Sequence, residues 1–285
     1  MNQRAESGAL GNPGAEQGLT HAELRRAPPA EIRRAIRERR WEKITHGLAP
    51  GYVHANLAIV PERYAFDFMR FCFRNPKPCP LIDVTDPGDP EPRRAAPGAD
   101  LRTDLTRYKL YRDGKYTGEV DHIRDLWRKD HVAFVLGCSA SFDQAMIDAD
   151  IPMQHLAAEG GRIPVYISNI PCKPSGVFSG PMVVSMRPIR NDLVVKAVEV
   201  TSRYPIAHGA PVHIGDPAQI GIKDLANPDW SLYTPLKPDE TPVYWACGVT
   251  PQSIAMAAGI PEMITHAAGT MFITDLRLNA ASIIS

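Results

Sequence analysis

The chain lacks the features that mark several common protein classes. No apolar run reaches the roughly 18 residues that a membrane helix requires, and the first 20 residues contain no signal-peptide core. Cysteine is scarce, and the five thiols are too far apart for the CxxC pairs of structural zinc sites or dithiol redox motifs. We therefore expect a cytoplasmic protein, with no membrane partner, whose cysteines are reduced: Cys72, Cys79, Cys138, Cys172 and Cys247.

Net charge is also absent, because 32 Lys and Arg residues balance 32 Asp and Glu residues. A neutral molecule has no long-range field to gather a polyanion, so nucleic acid is excluded as an expected partner. The Walker A and GxGxxG patterns are missing as well, which disfavours nucleotide cofactors.

The chain is long enough for one large core. Residues 1–20 are rich in glycine and poor in bulky apolar side chains, and this composition predicts a flexible extension. Residues 21–285 are expected to form one domain, with two packed lobes of about 21–130 and 131–285 as the alternative. Helices are predicted after Pro29 and after Pro61, and a β-hairpin is predicted around Asp113-Gly114.

Three later segments each run from a short apolar strand through a small-residue loop into a predicted helix: HVAFVL-GCSAS-FDQAMIDA, PVHI-GDPAQ-IGIKDL and VYWAC-GVTPQ-SIAMAA. Helix starts expose unpaired N–H groups that bind carboxylates or phosphates. If the three junctions converge, they gather Cys138, Ser139, Ser141, His213, Gly215, Asp216, Cys247, Gly248 and Thr250. The alternative is that Ser141, Asp216 and Thr250 only cap helices.

The loop TSRYPIAHGAPVHIGDP places His208, His213 and Asp216 within nine residues. Two imidazoles beside a carboxylate suit acid–base catalysis or a divalent metal site. Histidines that bond only to backbone are the alternative. Arg187 is a candidate clamp for a substrate carboxylate, against the alternative of an exposed charge at a strand end. Cys138 or Cys247 could act as a nucleophile, against the alternative of a small buried thiol.

Several long motifs resemble a bacterial hydro-lyase family that is grouped with D-glutamate cyclases: AFDFMRFCFRNPKPCPLIDVTDPGDP, RTDL, FVLGCSASF, SNIPCKPSGVFSGPMVVSMRP, TSRYPIAHGAPVHIGDP and YWACGVTPQ. The resemblance implies an α+β fold, with a mixed sheet and flanking helices, and a lyase that eliminates water. Cyclisation of D-glutamate to 5-oxo-D-proline is its best-defined reaction. The chain departs from the family pattern at His54, Ala268 and Thr270, where glutamine, proline and histidine are usual.

These observations give a first hypothesis for the site. His208 and His213 are the acid–base pair, Asp216 orients an imidazole, and Cys247 is a further catalytic candidate. A small-molecule carboxylate would be held by Arg187 and by the groups at the junctions: Cys138, Ser139, Ser141, Gly248 and Thr250. No cofactor is required, although a divalent metal on the same loop is an alternative. A non-catalytic acid-binding protein is a second alternative, and a homodimer is left open.

Overall fold

A computed structural model describes residues 19–157 and 163–282. Most of the predicted N-terminal extension, residues 1–18, lies outside that range, while Thr20 caps the first helix. The helices are α1 (His21–Arg25), α2 (Pro29–Arg37), α3 (Glu62–Arg74), α4 (Asp143–Asp148), α5 (Gln154–Ala157), α6 (Val194–Ser202) and α7 (Thr250–Ala257). Short 3-10 helices include Ser139–Ser141, Pro205–Ala207 and Pro217–Ile220.

The strands form two antiparallel sheets, which with the helices confirms the α+β class. They are β1 (Tyr52–Pro61), β2 (Leu81–Val84), β3 (Tyr108–Arg112), β4 (Lys115–Val120), β5 (His131–Gly137), β6 (Val165–Pro171), β7 (Pro181–Arg190), β8 (His213–Ile214), β9 (Glu240–Ala246), β10 (Glu262–His266) and β11 (Phe272–Arg277). The large sheet has the order β2-β5-β1-β10-β3-β4, with β11 also paired to β1. The small sheet has the order β6-β7-β9-β8.

The large sheet takes strands from both sides of residue 130. Its central strands β1 and β5 pair along seven residues and are buried almost throughout, as their apolar composition requires. In the small sheet, Val243 and Trp245 face one hydrophobic cluster while Tyr244 and Ala246 face another. Because successive side chains of a strand point to opposite faces of the sheet, β9 and its neighbour β7 lie between two hydrophobic cores.

Most local predictions agree with the structure. The helices predicted after Pro29 and Pro61 and the hairpin between β3 and β4 are confirmed, and Asp113 and Gly114 have the positive φ angles (46° and 73°) that the tight turn needs. The first and third strand-loop-helix junctions are also present. No helix in the described part of the chain is long and apolar enough to cross a membrane.

The second junction was predicted wrongly. Its strand, β8, has only two residues, and its helix is a four-residue 3-10 turn that ends where Gly221 adopts φ 80°. The chain then continues without the helix predicted over IGIKDL. A left-handed residue ends a helical turn. The apolar side chains of this segment therefore reach the core from a loop and not from a helix.

Candidate active site

A buried carboxylate, Asp143, connects three other side chains, those of His46, His155 and Arg187. Its Oδ2 atom accepts hydrogen bonds from Nε2 of His46 (3.0 Å) and Nε2 of His155 (2.9 Å). Its Oδ1 atom accepts from Nε and Nη2 of Arg187, at 3.2 and 2.9 Å. All four residues are less than 8% exposed. The described residues therefore contain a dense acid–base cluster in which one carboxylate serves three basic groups.

Opposing effects set the ionisation of this cluster. Burial raises the pKa of the Asp143 carboxyl, but the positive charge of Arg187 and the two imidazoles outweigh it and hold that pKa well below its ordinary value. Burial lowers the pKa of His155, and Asp143 only partly offsets that effect. Asp143 is consequently ionised at neutral pH while His155 is neutral. Because a carboxylate can only accept, the proton of His155 lies on Nε2, and that of a neutral His46 would too.

Arg187 is fully buried in the middle of β7 rather than exposed at a strand end. Its guanidinium lies over the rings of Phe142 (4.9 Å) and Trp245 (5.4 Å), and Nη2 also donates to Ser139 Oγ at 3.1 Å. The alternative interpretation of an exposed charge is wrong. The described contacts of Arg187 hold Asp143 and the Ser139 turn in place, and the predicted role as a substrate clamp stays a prediction.

A cavity of about 420 Å³ opens beside this cluster. His46 and Asp143 line it together with His54 and Ser141, and its rim carries the basic residues His21 and Arg25. This volume suits a small organic ligand. The basic rim and the acid–base wall together make the cavity suitable for a small carboxylic acid.

The loop that carries His46 is shaped by its backbone. Gly47 and Gly51 both have φ near 82°, a conformation in which a side chain would be strained. Thr45 anchors the loop to the residues before β11 by donating from N to Gly269 O (2.8 Å) and from Oγ1 to Met271 O (2.8 Å). These bonds bring residue 46 to Asp143 from a separate region of the sequence.

The GCSAS turn is held to β1. Ser141 Oγ accepts from the backbone N of His54 at 2.9 Å, and Cys138 N donates to His54 O at 3.0 Å. Ser141 does not cap α4, whose first turn has no side-chain cap. The junction therefore positions Ser139 toward Arg187 and Ser141 at the cavity wall.

Two thiols lie close to this turn. Burial raises the pKa of Cys138 to about 12, and burial also raises the pKa of Cys247, although both side chains keep some solvent exposure. A thiol with a raised pKa carries little of the reactive thiolate at neutral pH. These directions disfavour the predicted nucleophilic role of either cysteine.

The third junction is packed too closely for a side chain. A Cβ atom on Gly248 would lie 1.8 Å from Nδ2 of Asn56, which donates to Gly137 O at 2.8 Å. Thr250 Oγ1 accepts from Val183 N at 3.0 Å and donates to Cys247 O at 2.7 Å. Gly248 and Thr250 thus join β1, β7 and α7, and their predicted substrate contacts stay predictions.

The predicted histidine loop does not form one cluster. His208 is buried, and its Nδ1 donates to Lys77 O at 2.8 Å beside a second cavity of about 530 Å³. His213 is partly exposed, and its Nε2 donates to the backbone O of Asp216 at 2.7 Å. The Asp216 carboxylate caps the following turn through Ala218 N rather than orienting an imidazole. No described hydrogen bond joins His208 to His213.

Two of the departures from the family pattern have defined positions. His54 lines the first cavity, where burial lowers its pKa to about 4 and Nε2 donates to Leu48 O at 2.8 Å. Its Nδ1 atom has no hydrogen-bond partner among the described residues. Thr270 instead bonds the backbone carbonyls of Arg107 and Ala267. The histidine at position 54 therefore adds a group to the cavity, while position 270 is structural.

His46, Asp143 and His155 were missed by the sequence reasoning. Asp143 is the second residue of the predicted helix FDQAMIDA in the first junction segment, so a search for titratable residues there would have included it. Nothing local marks the two histidines. The three residues also form the one group of possible metal ligands found among the described residues, with ligand atoms within 4.8 Å of one another.

Comparisons with known proteins place the chain in a family. The D-glutamate cyclase family model matches residues 132–275. A protein from Thermoanaerobacter sp. (strain X514), named "Putative hydro-lyase", is 55% identical over 87% of this chain and 94% of its own length. Proteins of the same name from Stutzerimonas stutzeri and Geobacillus kaustophilus are also 55% identical, with the same coverage. The chain therefore belongs to the D-glutamate cyclase family, whose curated relatives are named hydro-lyases, and it is an enzyme of that lyase class.

Proposed function

We propose that the chain removes water from a small carboxylic or amino acid bound in the first cavity, and that cyclisation of D-glutamate to 5-oxo-D-proline is the reaction. The observation that carries this proposal is His46, a cavity-lining imidazole held at 3.0 Å by the ionised carboxylate of Asp143. Family membership supplies the reaction class.

The rim of the cavity supports a carboxylate substrate. Arg25 uses Nη2 to bond Gln144 Oε1 at 3.1 Å, and within residues 19–157 and 163–282 its guanidinium makes no other hydrogen bond that would prevent it from holding a carboxylate. The end of α1 is fixed to the loop by the bond from Ala49 N to Arg25 O at 3.1 Å. The guanidinium thus reaches the cavity from a backbone that is tied to the loop of His46.

Cyclisation needs proton transfer between two ends of one molecule. The C–N bond forms between the amine and the side-chain carboxyl carbon, and a C–O bond of that carboxyl breaks. The ammonium group loses two protons, and the departing oxygen takes up both and leaves as water. An acid–base group beside both atoms can carry these protons. We assign that role to His46.

Asp143 and its other partners would position this imidazole. A carboxylate that accepts from one ring nitrogen fixes the tautomer and stabilises the imidazolium that forms. His155 and Arg187 hold the carboxylate in turn, so its orientation does not depend on His46 alone. His54, neutral at pH 7 because of its lowered pKa, adds an uncharged imidazole to the wall of the cavity.

The assay follows the loss of one water by mass spectrometry when the protein is incubated with D-glutamate, L-glutamate and a panel of hydroxy acids. We expect His46→Ala to lower turnover on the order of 100-fold or more. His213→Ala is the matched control, because that imidazole is partly exposed and bonds to backbone. Loss of activity in His213→Ala but not in His46→Ala would instead support the loop of His208, His213 and Asp216. Tight binding without conversion would support a non-catalytic protein.

A metal-dependent lyase is the second candidate function. Two imidazoles and one carboxylate are a ligand set for zinc, manganese or iron, and the donor atoms of His46, Asp143 and His155 are close enough to share an ion. The fixed positive charge of Arg187, 2.9 Å from Asp143, disfavours the binding of a metal cation there. Metal analysis of the purified protein decides the question: a stoichiometric ion that is lost in His155→Ala supports this candidate, and full activity after chelation excludes it.

A further inference from the structure

The second cavity, of about 530 Å³, is separate from the proposed active site and shares no lining residue with the first cavity. Its volume suits a small organic molecule. None of the described residues that line it is acidic, so no negative side chain of the wall would repel an anion. The larger part of the wall is apolar and consists of Pro76, Pro80, Leu81, Pro205, Ile206 and Ala210.

Lys77 supplies the positive charge of this cavity. The residue is half-buried, and its ammonium forms no ion pair or hydrogen bond within residues 19–157 and 163–282. Its Nζ lies near Gly209, because a Cβ atom on that glycine would be 4.0 Å away. Burial lowers the pKa of Lys77, and no described carboxylate offsets that effect. The ammonium therefore lacks a counter-charge that a bound anion can supply.

His208 is a second polar residue of the same wall whose bonding capacity the fold does not use in full. Its Nδ1 donates to Lys77 O at 2.8 Å, so Nε2 carries no proton in the neutral ring. Nε2 is buried and has no hydrogen-bond partner among the described residues, which is uncommon for a buried polar atom. Because burial lowers the pKa of His208 to about 4, the ring is uncharged at pH 7 and Lys77 is the one cation among the described lining residues.

We propose that the second cavity binds a small monocarboxylate with an apolar body, whose carboxylate pairs with the ammonium of Lys77. The apolar body lies against the prolines and Ile206. One ammonium matches one carboxylate, and a second anionic group would be left unpaired against an apolar wall. The ligand class thus differs from glutamate, which has two carboxylates. This binding site goes beyond the reaction proposed for the first cavity and does not depend on it.

Isothermal titration calorimetry of the full chain with benzoate at pH 7 tests this proposal. We expect saturable binding of benzoate. Benzyl alcohol lacks the charge and inorganic phosphate lacks the apolar body, so each should bind at least about 10-fold more weakly. Lys77→Met keeps the length of the side chain and should raise the dissociation constant of benzoate about 10-fold or more. No saturable binding to the wild type, or equally tight binding of benzyl alcohol, of phosphate or of benzoate to Lys77→Met, would overturn the proposal.

Three further variants separate this cavity from other sites. Arg25→Met removes the guanidinium at the rim of the first cavity, and Lys223→Met removes an exposed ammonium that lines neither cavity. Both should leave the Lys77-dependent binding unchanged. Ser202→Asp adds a negative charge to the wall while Lys77 stays in place, and it should also weaken the binding of benzoate. It decides the question if Lys77→Met does not fold.

Loss of benzoate binding in Arg25→Met but not in Lys77→Met would place benzoate in the first cavity and overturn the proposal. These measurements follow binding and not turnover. The proposed cyclisation of D-glutamate can therefore fail without affecting this result, and the converse holds as well.

Discussion

Replacing Asp143 by asparagine should destabilise the protein more than any surface change of the same chemistry. The amide keeps the size of the carboxylate but removes its charge, which leaves the guanidinium of Arg187, 1% exposed, without a counter-ion. The amide also offers one acceptor oxygen where two oxygens now accept four hydrogen bonds. Breaking a buried ion pair from one side costs about 3–5 kcal/mol. For a chain of this size, that cost corresponds to a fall in Tm of roughly 6–20 °C.

Urea unfolding followed by circular dichroism measures this effect. Asp192→Asn is the matched control, because Asp192 pairs with Arg190 on the surface and its side chain is 60% exposed; we expect that change to cost less than about 1 kcal/mol. If Asp143→Asn unfolds within about 1 kcal/mol of the wild type, Asp143 does not hold the buried cluster together and the electrostatic reasoning is wrong.

Three further perturbations test other parts of the structure. Burial lowers the pKa of His208 from 6.5 to about 4, so stability is at its full value above pH 6.5 and is lost as the pH falls toward 4. The variant His208→Asn has no group that titrates in this range, and asparagine tolerates the left-handed backbone at this position. It should reduce the loss of unfolding free energy between pH 7 and 5 by about 2 kcal/mol, and an unchanged pH profile would contradict the lowered pKa. Gly248→Ala should cost about 1–3 kcal/mol in urea unfolding, because Asn56 must move and give up its bond to Gly137; a neutral effect would refute the close packing. Iodoacetamide should label Cys138 on the order of 1000-fold more slowly at pH 7.5 than a thiol of ordinary pKa, as peptide mass spectrometry can show, and rapid labelling would exclude the raised pKa.

Much of the fold could be predicted from local sequence. Proline at the start of α2 and before α3, the helical spacing of apolar residues, and Asp113-Gly114 between two strands all act over a few residues, and the structure confirms each of them. The second junction failed for a reason that is also local. The left-handed Gly221 stops the helical turn after Pro217–Ile220, and apolar spacing alone does not report that backbone angle.

The acid–base cluster could not be predicted in the same way. His46 and Asp143 are separated by 97 residues and come together only because the loop of His46 is bonded to residues near β11. Arg187 was predicted to be a carboxylate clamp, with an exposed charge at a strand end as the alternative, yet β7 continues to Arg190 and buries the guanidinium between aromatic rings. Contacts of this kind depend on tertiary packing, which has no signature in residue spacing.

The histidine loop shows the opposite error. His208, His213 and Asp216 are close in sequence, but His213 lies on the edge strand β8 while His208 is buried beside Lys77. A strand and a tight turn within six residues send neighbouring side chains in different directions. Sequence proximity therefore did not predict whether these three side chains form one cluster.

The catalytic role of His46 is tested most simply by the turnover of D-glutamate by the wild type, His46→Ala and His213→Ala, followed as loss of one water. We expect wild type and His213→Ala to form 5-oxo-D-proline at similar rates and His46→Ala to be slower on the order of 100-fold. Full activity of His46→Ala would contradict the assignment of the active site to the cavity beside Asp143.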